Sequence, residues 1–127
     1  MKMNLDLLLN DISEHGATYF YNGEEFTKNP SKGYVVGINK NVKVFNLSKC
    51  GMELLNELKK AVNHSNFILS NLDSWNCLGL WVDTESNLLY IEETQLFSDR
   101  DEAVAVAKKF NEIAIWDCGN SKEIRFK

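Results

Sequence analysis

The fold is decided by residues 77–93, CLGLWVDTESNLLYIEE, in which apolar and other side chains alternate before a polar break. An alternation of period two is typical of a β-strand with one buried face. The side chains predicted to face the core are Leu78, Leu80 and Val82, and those predicted on the opposite face are Gly79, Trp81 and Asp83. The segment TESN then turns the chain and LLYIEE returns as a second strand, so the sequence predicts a β-hairpin.

A helix and two further strands are predicted after this hairpin. Residues 98–110, SDRDEAVAVAKKF, carry acidic side chains near their start and two lysines near their end, which suits the dipole of a helix. Ser98 and Asp101 approximate a capping box, so we expect these acids to start a helix and not to perform chemistry. IAIWDC is apolar on both faces, as in a central strand, and KEIRF follows a turn. The C-terminal order is therefore strand, strand, helix, strand, strand.

The N-terminal half begins with an amphipathic helix, predicted over residues 3–14 from the spacing of its apolar side chains. A hairpin follows, because Asn22-Gly23 accepts the positive φ angles of a tight turn. Strands are then predicted over 34–38 and 42–47, joined across residues 39–41, NKN.

A second helix is predicted from Ser48, as its cap, to about residue 62. Residues 63–77 are rich in Asn and Ser and have the weakest pattern in the chain, so we expect a surface loop there. The apolar side chains expected to anchor this loop are Phe67, Ile68, Leu69 and Leu72.

These elements predict one α+β domain over residues 1–127, built mainly from an antiparallel sheet of hairpins with two or three amphipathic helices. A chain of 127 residues is long enough for one hydrophobic core, and no repeat or linker divides it. The net charge of −4 argues against general binding to nucleic acid or to anionic membranes, which relies on a basic surface.

The compartment is predicted to be the cytoplasm. The odd number of cysteines, without CxxC spacing, favours unpaired thiols in a reducing environment; they are Cys50, Cys77 and Cys118. Polar residues interrupt the N-terminal apolar run and no small-residue cleavage site follows it, so a signal peptide is not expected. No apolar run approaches the length that spans a bilayer.

Few side chains are spaced for catalysis or metal binding. His15 and His64 are far apart in the sequence and lack a second ligand at metal-site spacing, so no metal or cofactor is predicted. Glu92 and Glu93 are adjacent on a strand and should point to opposite faces, which prevents them from acting as a pair. A reactive Cys50 at a helix start, with His64 as its base, remains an alternative.

Aromatic side chains on predicted strands are the best candidates for a binding surface, because Tyr and Trp are frequent anchors at interfaces. The candidate ligand-binding or partner-binding residues are Trp75, Trp81, Asp83, Tyr90 and Trp116. Gly79 beside Trp81 can leave room for a flat ligand or a partner side chain. Packing within the sheet is the competing interpretation, and exposed sheet edges make a homodimer reasonable.

Several segments resemble small accessory proteins encoded by phages, prophages and conjugative elements of low-GC bacteria. The segments that carry the resemblance are GATYFYNGEEF, PSKGYVVGI, CLGLWVDTESNLLYIEE and SDRDEAVAVAKKFNEIAIWDCGNSKEI, whereas residues 46–77 match poorly. Such gene sets often counter host defence, so the resemblance implies a non-catalytic anti-defence protein that binds and inhibits a host defence protein.

Two other functions stay open at this point. One is a sponge that sequesters a nucleotide immune signal by stacking it on aromatic residues such as Trp81 or Trp116. The other is a cysteine-dependent enzyme that uses Cys50.

Overall fold

The computed structural model describes residues 1–126, in which three helices and seven strands are present. Their order is α1 (Leu5–Ser13), β1 (Gly16–Tyr21), β2 (Phe26–Lys28), β3 (Tyr34–Asn46), α2 (Gly51–Ser70), β4 (Asn76–Asp83), β5 (Leu88–Phe97), α3 (Arg100–Lys109), β6 (Ala114–Asp117) and β7 (Lys122–Arg125). The predicted α+β class and the C-terminal order of two strands, a helix and two strands are confirmed.

The strands form one seven-stranded sheet in the order β2-β1-β4-β5-β3-β6-β7, and every neighbouring pair is antiparallel. The hairpin predicted from residues 77–93 lies at its centre, where Leu80 pairs with Ile91 and Trp81 pairs with Tyr90. Side chains that are directly opposite share a face of the sheet. Leu80 and Ile91 therefore face one side, and Trp81 and Tyr90 face the other.

All three helices pack against the face that carries Leu80 and Ile91. The larger hydrophobic cluster contains Leu80 and Ile91 of the sheet. Helices α1 and α2 contribute Leu8, Ala61 and Ile68 to it. Helix α3 forms a second cluster on Val36, which lies on the same face because it pairs with Gln95 of β5. None of the helices within residues 1–126 covers the opposite face of the sheet, and this exposed face carries the site described below.

The two strands predicted over 34–38 and 42–47 are one continuous strand, β3, so the predicted break between them is wrong. Both parts pair with β5, and the register shifts between Gly37 and Lys40 and again between Lys40 and Lys43. Asn39 and Asn41 have φ angles of 54° and 55°, which Asn tolerates better than most residues. The asparagines therefore bend one strand and do not turn the chain back.

Helix α2 extends to Ser70, so the prediction of a surface loop over 63–77 is wrong for the first half of that segment. The N-cap of α2 is Cys50, and not the Ser48 predicted from the sequence. Ile68 is fully buried, whereas Phe67 is 53% exposed. The Asn and Ser residues that weakened the sequence pattern lie along an amphipathic helix, where the packing of its apolar face outweighs their low helix propensity.

Helix α3 confirms that the acidic cluster starts a helix, although its cap lies one residue later than predicted. Asp99 and not Ser98 is the cap, and its carboxylate accepts hydrogen bonds from the backbone N–H groups of Asp101 and Glu102. Strand β6 is the sixth of seven strands, and Trp116 is 43% exposed, so the prediction of a central strand buried on both faces is also wrong.

A buried polar contact fastens α1 to the sheet. The Tyr19 hydroxyl donates a hydrogen bond of 2.6 Å to Oδ2 of Asp11, which is 1% exposed. The Lys28 ammonium lies 2.9 Å from Oδ1 as an ion pair that is not aligned as a hydrogen bond. Burial, followed by the Asp11 hydrogen bond and charge, raises the pKa of Tyr19 far above its ordinary value.

We expect Tyr19→Phe to lower the free energy of unfolding by about 1–2 kcal/mol, because a buried carboxylate loses its hydroxyl donor while keeping Lys28. Urea denaturation followed by circular dichroism measures the change. Tyr34→Phe is the matched control, since the Tyr34 hydroxyl makes no hydrogen bond within residues 1–126. Equal stability of the two variants would contradict a stabilising role for the Tyr19–Asp11 contact.

Candidate functional site

A groove of about 1020 Å³ lies over the uncovered face of the sheet. Strands β4, β5, β3 and β6 provide most of its floor, and the segment between α3 and β6 provides one wall. We call it the sheet groove and define it by the side chains of Trp81, Tyr90, Glu92, Thr94, Glu112 and Trp116. A concave surface that combines aromatic side chains with a few polar groups is the default place for a ligand or partner.

The sheet groove brings together three of the five residues predicted as candidates for binding. The rings of Trp81 and Tyr90 are 5.3 Å apart and tilted by 38°, as expected for aromatic side chains paired across antiparallel strands. Trp116 lines the same groove from β6. Trp81 and Trp116 are 41% and 43% exposed, so much of each indole is free to contact another molecule.

Asp83 and Trp75 do not line this groove. The Asp83 carboxylate accepts hydrogen bonds from the Ser86 hydroxyl at 2.7 Å and the Glu85 N–H at 3.1 Å, and these contacts hold the β4–β5 turn. The Ser86 hydrogen bond is the main reason that the pKa of Asp83 is lowered. Trp75 lies before β4 and packs against Phe20, with ring centres 5.9 Å apart.

Two carboxyl groups converge on the floor of the sheet groove, over Gly37. A Cβ atom at Gly37 would lie 2.5 Å from Oε1 of Glu112 and 2.8 Å from Oε1 of Glu92. The absence of a side chain at this position is therefore what admits both carboxyl groups. Burial, and then the nearby Glu112 charge, raises the pKa of Glu92 to about 7, while burial raises the pKa of Glu112.

The proximity of Glu92 and Glu112 was not predicted from the sequence. Glu92 and Glu93 point to opposite faces as predicted, since Glu93 pairs with Leu78 and is fully buried on the helix side. The partner of Glu92 instead comes from the turn after α3, where the Glu112 N–H donates to the Ala107 carbonyl. Gly37 within a strand was the one available signal, because glycine in a strand often marks a close approach.

The space beside Gly79 is filled by the protein itself, contrary to the expectation that it could receive a flat ligand. A Cβ atom at Gly79 would lie 2.7 Å from the Thr94 methyl carbon. Thr94 is 4% exposed, and its shielded hydroxyl makes no aligned hydrogen bond within the described chain. The neighbouring Cys77 thiol interacts with it, but thiols are weak hydrogen-bonding partners.

The alternative of a Cys50–His64 pair is not supported by the geometry. Cys50 is exposed at the start of α2, whereas His64 lies roughly 20 Å further along the same helix axis at 1.5 Å per residue. The His64 Nε2 atom is 2.6 Å from the Asn41 carbonyl oxygen. Cys77 and Cys118 are buried, and burial raises their thiol pKa values to about 12 and about 11.

Residues 1–126 contain neither a cluster of metal-ligating side chains nor a helix able to cross a membrane. No group of three or more His, Cys, Asp or Glu side chains is placed to hold a metal ion there. None of the described helices has the length and apolar character needed to cross a membrane.

The fold and the site together define a small α+β protein whose antiparallel sheet is covered by helices on one face and carries an aromatic, acidic groove on the other. No protein-family model, curated protein or solved structure matches the chain. The relationship to proteins of mobile genetic elements therefore stays a prediction from the sequence.

Proposed function

We propose that the protein is a non-catalytic inhibitor that binds a partner protein in the sheet groove. The observation that carries the proposal is the exposure of Trp81 and Trp116 on one concave face, with Tyr90 between the strands that bear them. Large, half-exposed aromatic side chains are frequent anchors of protein–protein interfaces. The preferred occupant is a segment of a partner protein that presents at least one basic side chain.

Charge supports a basic partner more than a nucleotide. Glu92 and Glu112 lie on the groove floor, and Glu123 is on its rim. Among the described lining residues, Lys28 carries the one permanent positive charge, and the Asp11 carboxylate lies 2.9 Å from its ammonium. A nucleotide phosphate would therefore meet carboxylates without a free cation to balance it, which weighs against the nucleotide sponge.

The class of partner follows from the sequence resemblance. Since the segments that resemble proteins of phages and conjugative elements imply an anti-defence role, we propose a bacterial defence protein as the target, in the host cytoplasm.

A homodimer remains a separate proposal. The edge strands β2 and β7 have three and four residues, so edge-to-edge pairing would add few backbone hydrogen bonds.

The test is the rescue of phage growth in bacteria that each carry one defence system and express this protein. Where plating is restored, the purified target is titrated with the purified protein. A non-catalytic inhibitor predicts that inhibition saturates near one molecule per target. We expect the double variant Trp81→Ala/Trp116→Ala to lose about 2 kcal/mol or more of binding free energy, which is roughly thirtyfold in Kd.

Trp75→Ala is the matched control, because Trp75 is 62% exposed but lies outside the sheet groove. The Trp75→Ala variant should inhibit the target as strongly as the wild type does. Inhibition at far less than one molecule per target would contradict a binding mechanism, and unchanged affinity of the double variant would contradict the groove as the contact surface. Saturable quenching by a cyclic nucleotide, without a protein target, would instead support the sponge.

A further inference from the structure

We propose that Glu92, Glu112 and Thr94 form a subsite of the sheet groove that binds a primary ammonium group, such as that of a lysine side chain of the partner. This inference rests on the proposed binding role of the groove and names the chemistry of one contact within it. Within residues 1–126 the two carboxyl groups make no ion pair, and the Thr94 hydroxyl makes no aligned hydrogen bond.

No cation within residues 1–126 balances the charge of Glu92 and Glu112. The two carboxyl groups converge over Gly37, as the short distances from its Cβ position show. Neither group makes an ion pair within the described residues, whose five salt bridges involve other acids. Like charges at close range repel each other, so a bound cation would offset the repulsion between the two carboxylates.

The buried Thr94 hydroxyl supplies the third oxygen of the proposed subsite. Thr94 lies two residues after Glu92 on β5, so both side chains face the groove. Its oxygen is shielded from solvent and has no aligned hydrogen bond in the described chain, and the Cys77 thiol beside it is a weak partner. Buried polar atoms in folded proteins are nearly always paired, and an unpaired one that lines a cavity indicates a missing partner.

The number of oxygen acceptors favours an ammonium group over a guanidinium group as the ligand. An ammonium group has three N–H donors, which match oxygens from the three separate side chains. A guanidinium group is planar and is best met by two oxygens of one carboxylate. The indole of Trp116 and the ring of Tyr90 line the same groove and can pack against the aliphatic part of a lysine chain.

The test is a titration of the full chain with Nα-acetyl-lysine N-methylamide, followed by nuclear magnetic resonance. We expect saturable shifts of the Gly37 and Thr94 amides and of the Trp116 indole N–H. Nα-acetyl-norleucine N-methylamide, which has the aliphatic chain but no ammonium, is the matched ligand control and should bind about tenfold more weakly. Glu92→Gln/Glu112→Gln should lose about tenfold in affinity for the lysine derivative, and Thr94→Val about threefold.

Three results would overturn the subsite. They are equal binding of the two ligands, unchanged affinity of the Glu92→Gln/Glu112→Gln variant, and displacement of the lysine derivative by an equal concentration of calcium chloride. The variants are tested for folding by their circular dichroism, and Thr94→Val keeps the test valid if the double variant unfolds. The phage assay with Trp81→Ala/Trp116→Ala judges the groove separately, so failure of the subsite is distinguishable from failure of the proposed function.

Discussion

Gly16→Val is expected to lose about 3–5 kcal/mol of folding free energy, which is enough to leave a large unfolded fraction in a domain of this size. Gly16 has a φ angle of 139°, a conformation that side chains branched at Cβ avoid. A Cβ atom there would overlap the carbonyl oxygen of Leu80 and lie 3.2 Å from the Cα of Trp81. Both contacts are with backbone of the central strand β4, which cannot move aside as a flexible side chain can.

Urea denaturation of the variant measures this loss, and Gly51→Ala is the control. Gly51 also has a positive φ angle, 59°, but a Cβ atom there meets nothing within 4 Å. Its substitution therefore carries backbone strain alone, about 1–2 kcal/mol. If Gly16→Val unfolds at the same urea concentration as Gly51→Ala, the sheet adapts to the added side chain and the close approach of β1 to β4 does not limit stability.

The sequence predicts well those elements whose pattern is complete within a few residues. Strand β4 alternates Leu78 and Leu80 with Gly79 and Trp81, so both its existence and its two faces follow from local periodicity. Helix α3 has its own cap and dipole charges, and its predicted start differs from the observed one by a single residue. In these elements the local preference and the tertiary packing agree.

The errors arise where tertiary packing decides. The second half of α2 has a polar composition, but Ile68 and Leu69 pack on the sheet and hold it helical. Asn39 and Asn41 look like a turn, yet β5 runs alongside both halves of β3 and keeps them in one strand. The local sequence does not show that a segment packs on, or pairs with, a distant strand. Neither error could therefore be corrected from the local pattern.

For the same reason, the sequence predicted the aromatic residues of the candidate site but not the pairing of its two glutamates. Trp81, Tyr90 and Trp116 were identified by residue type, and their shared face follows from strand pairing once the sheet order is known. The meeting of Glu92 with Glu112 depends on two segments brought together at Gly37. No spacing rule connects them, because the contact depends on how the turn after α3 folds back over the sheet.

Glu92→Gln is expected to make the protein more stable than the wild type at pH 8 and nearly equal to it at about pH 4, below the ordinary pKa of a glutamate. The folded protein holds the pKa of Glu92 near 7, above its ordinary value, so folding favours the protonated carboxyl. That stabilisation is complete below the ordinary pKa and is lost progressively as the pH rises from there to about 7, above which the folded chain also ionises this half-buried group. A glutamine stays neutral throughout.

The expected gain at pH 8 is about 2–3 kcal/mol, from 1.36 kcal/mol per unit of pKa difference with allowance for partial exposure. Thermal unfolding of both proteins between about pH 4 and pH 8 measures it. The difference between the two curves is needed because His64 acts in the opposite direction: burial lowers its pKa, so its contribution is lost as the pH falls. Exposed Glu24→Gln is the control and should follow the wild type.

A stabilising effect of Glu92→Gln would mean that the wild-type chain gives up stability at neutral pH to keep a carboxyl group on the groove floor. Folded proteins retain such costly groups chiefly where binding or chemistry needs them. The same variant should then weaken binding of the lysine derivative, so stability and binding should change in opposite directions. If Glu92→Gln is no more stable than the wild type at pH 8, the two carboxyl groups are solvated, and their convergence over Gly37 carries no electrostatic cost.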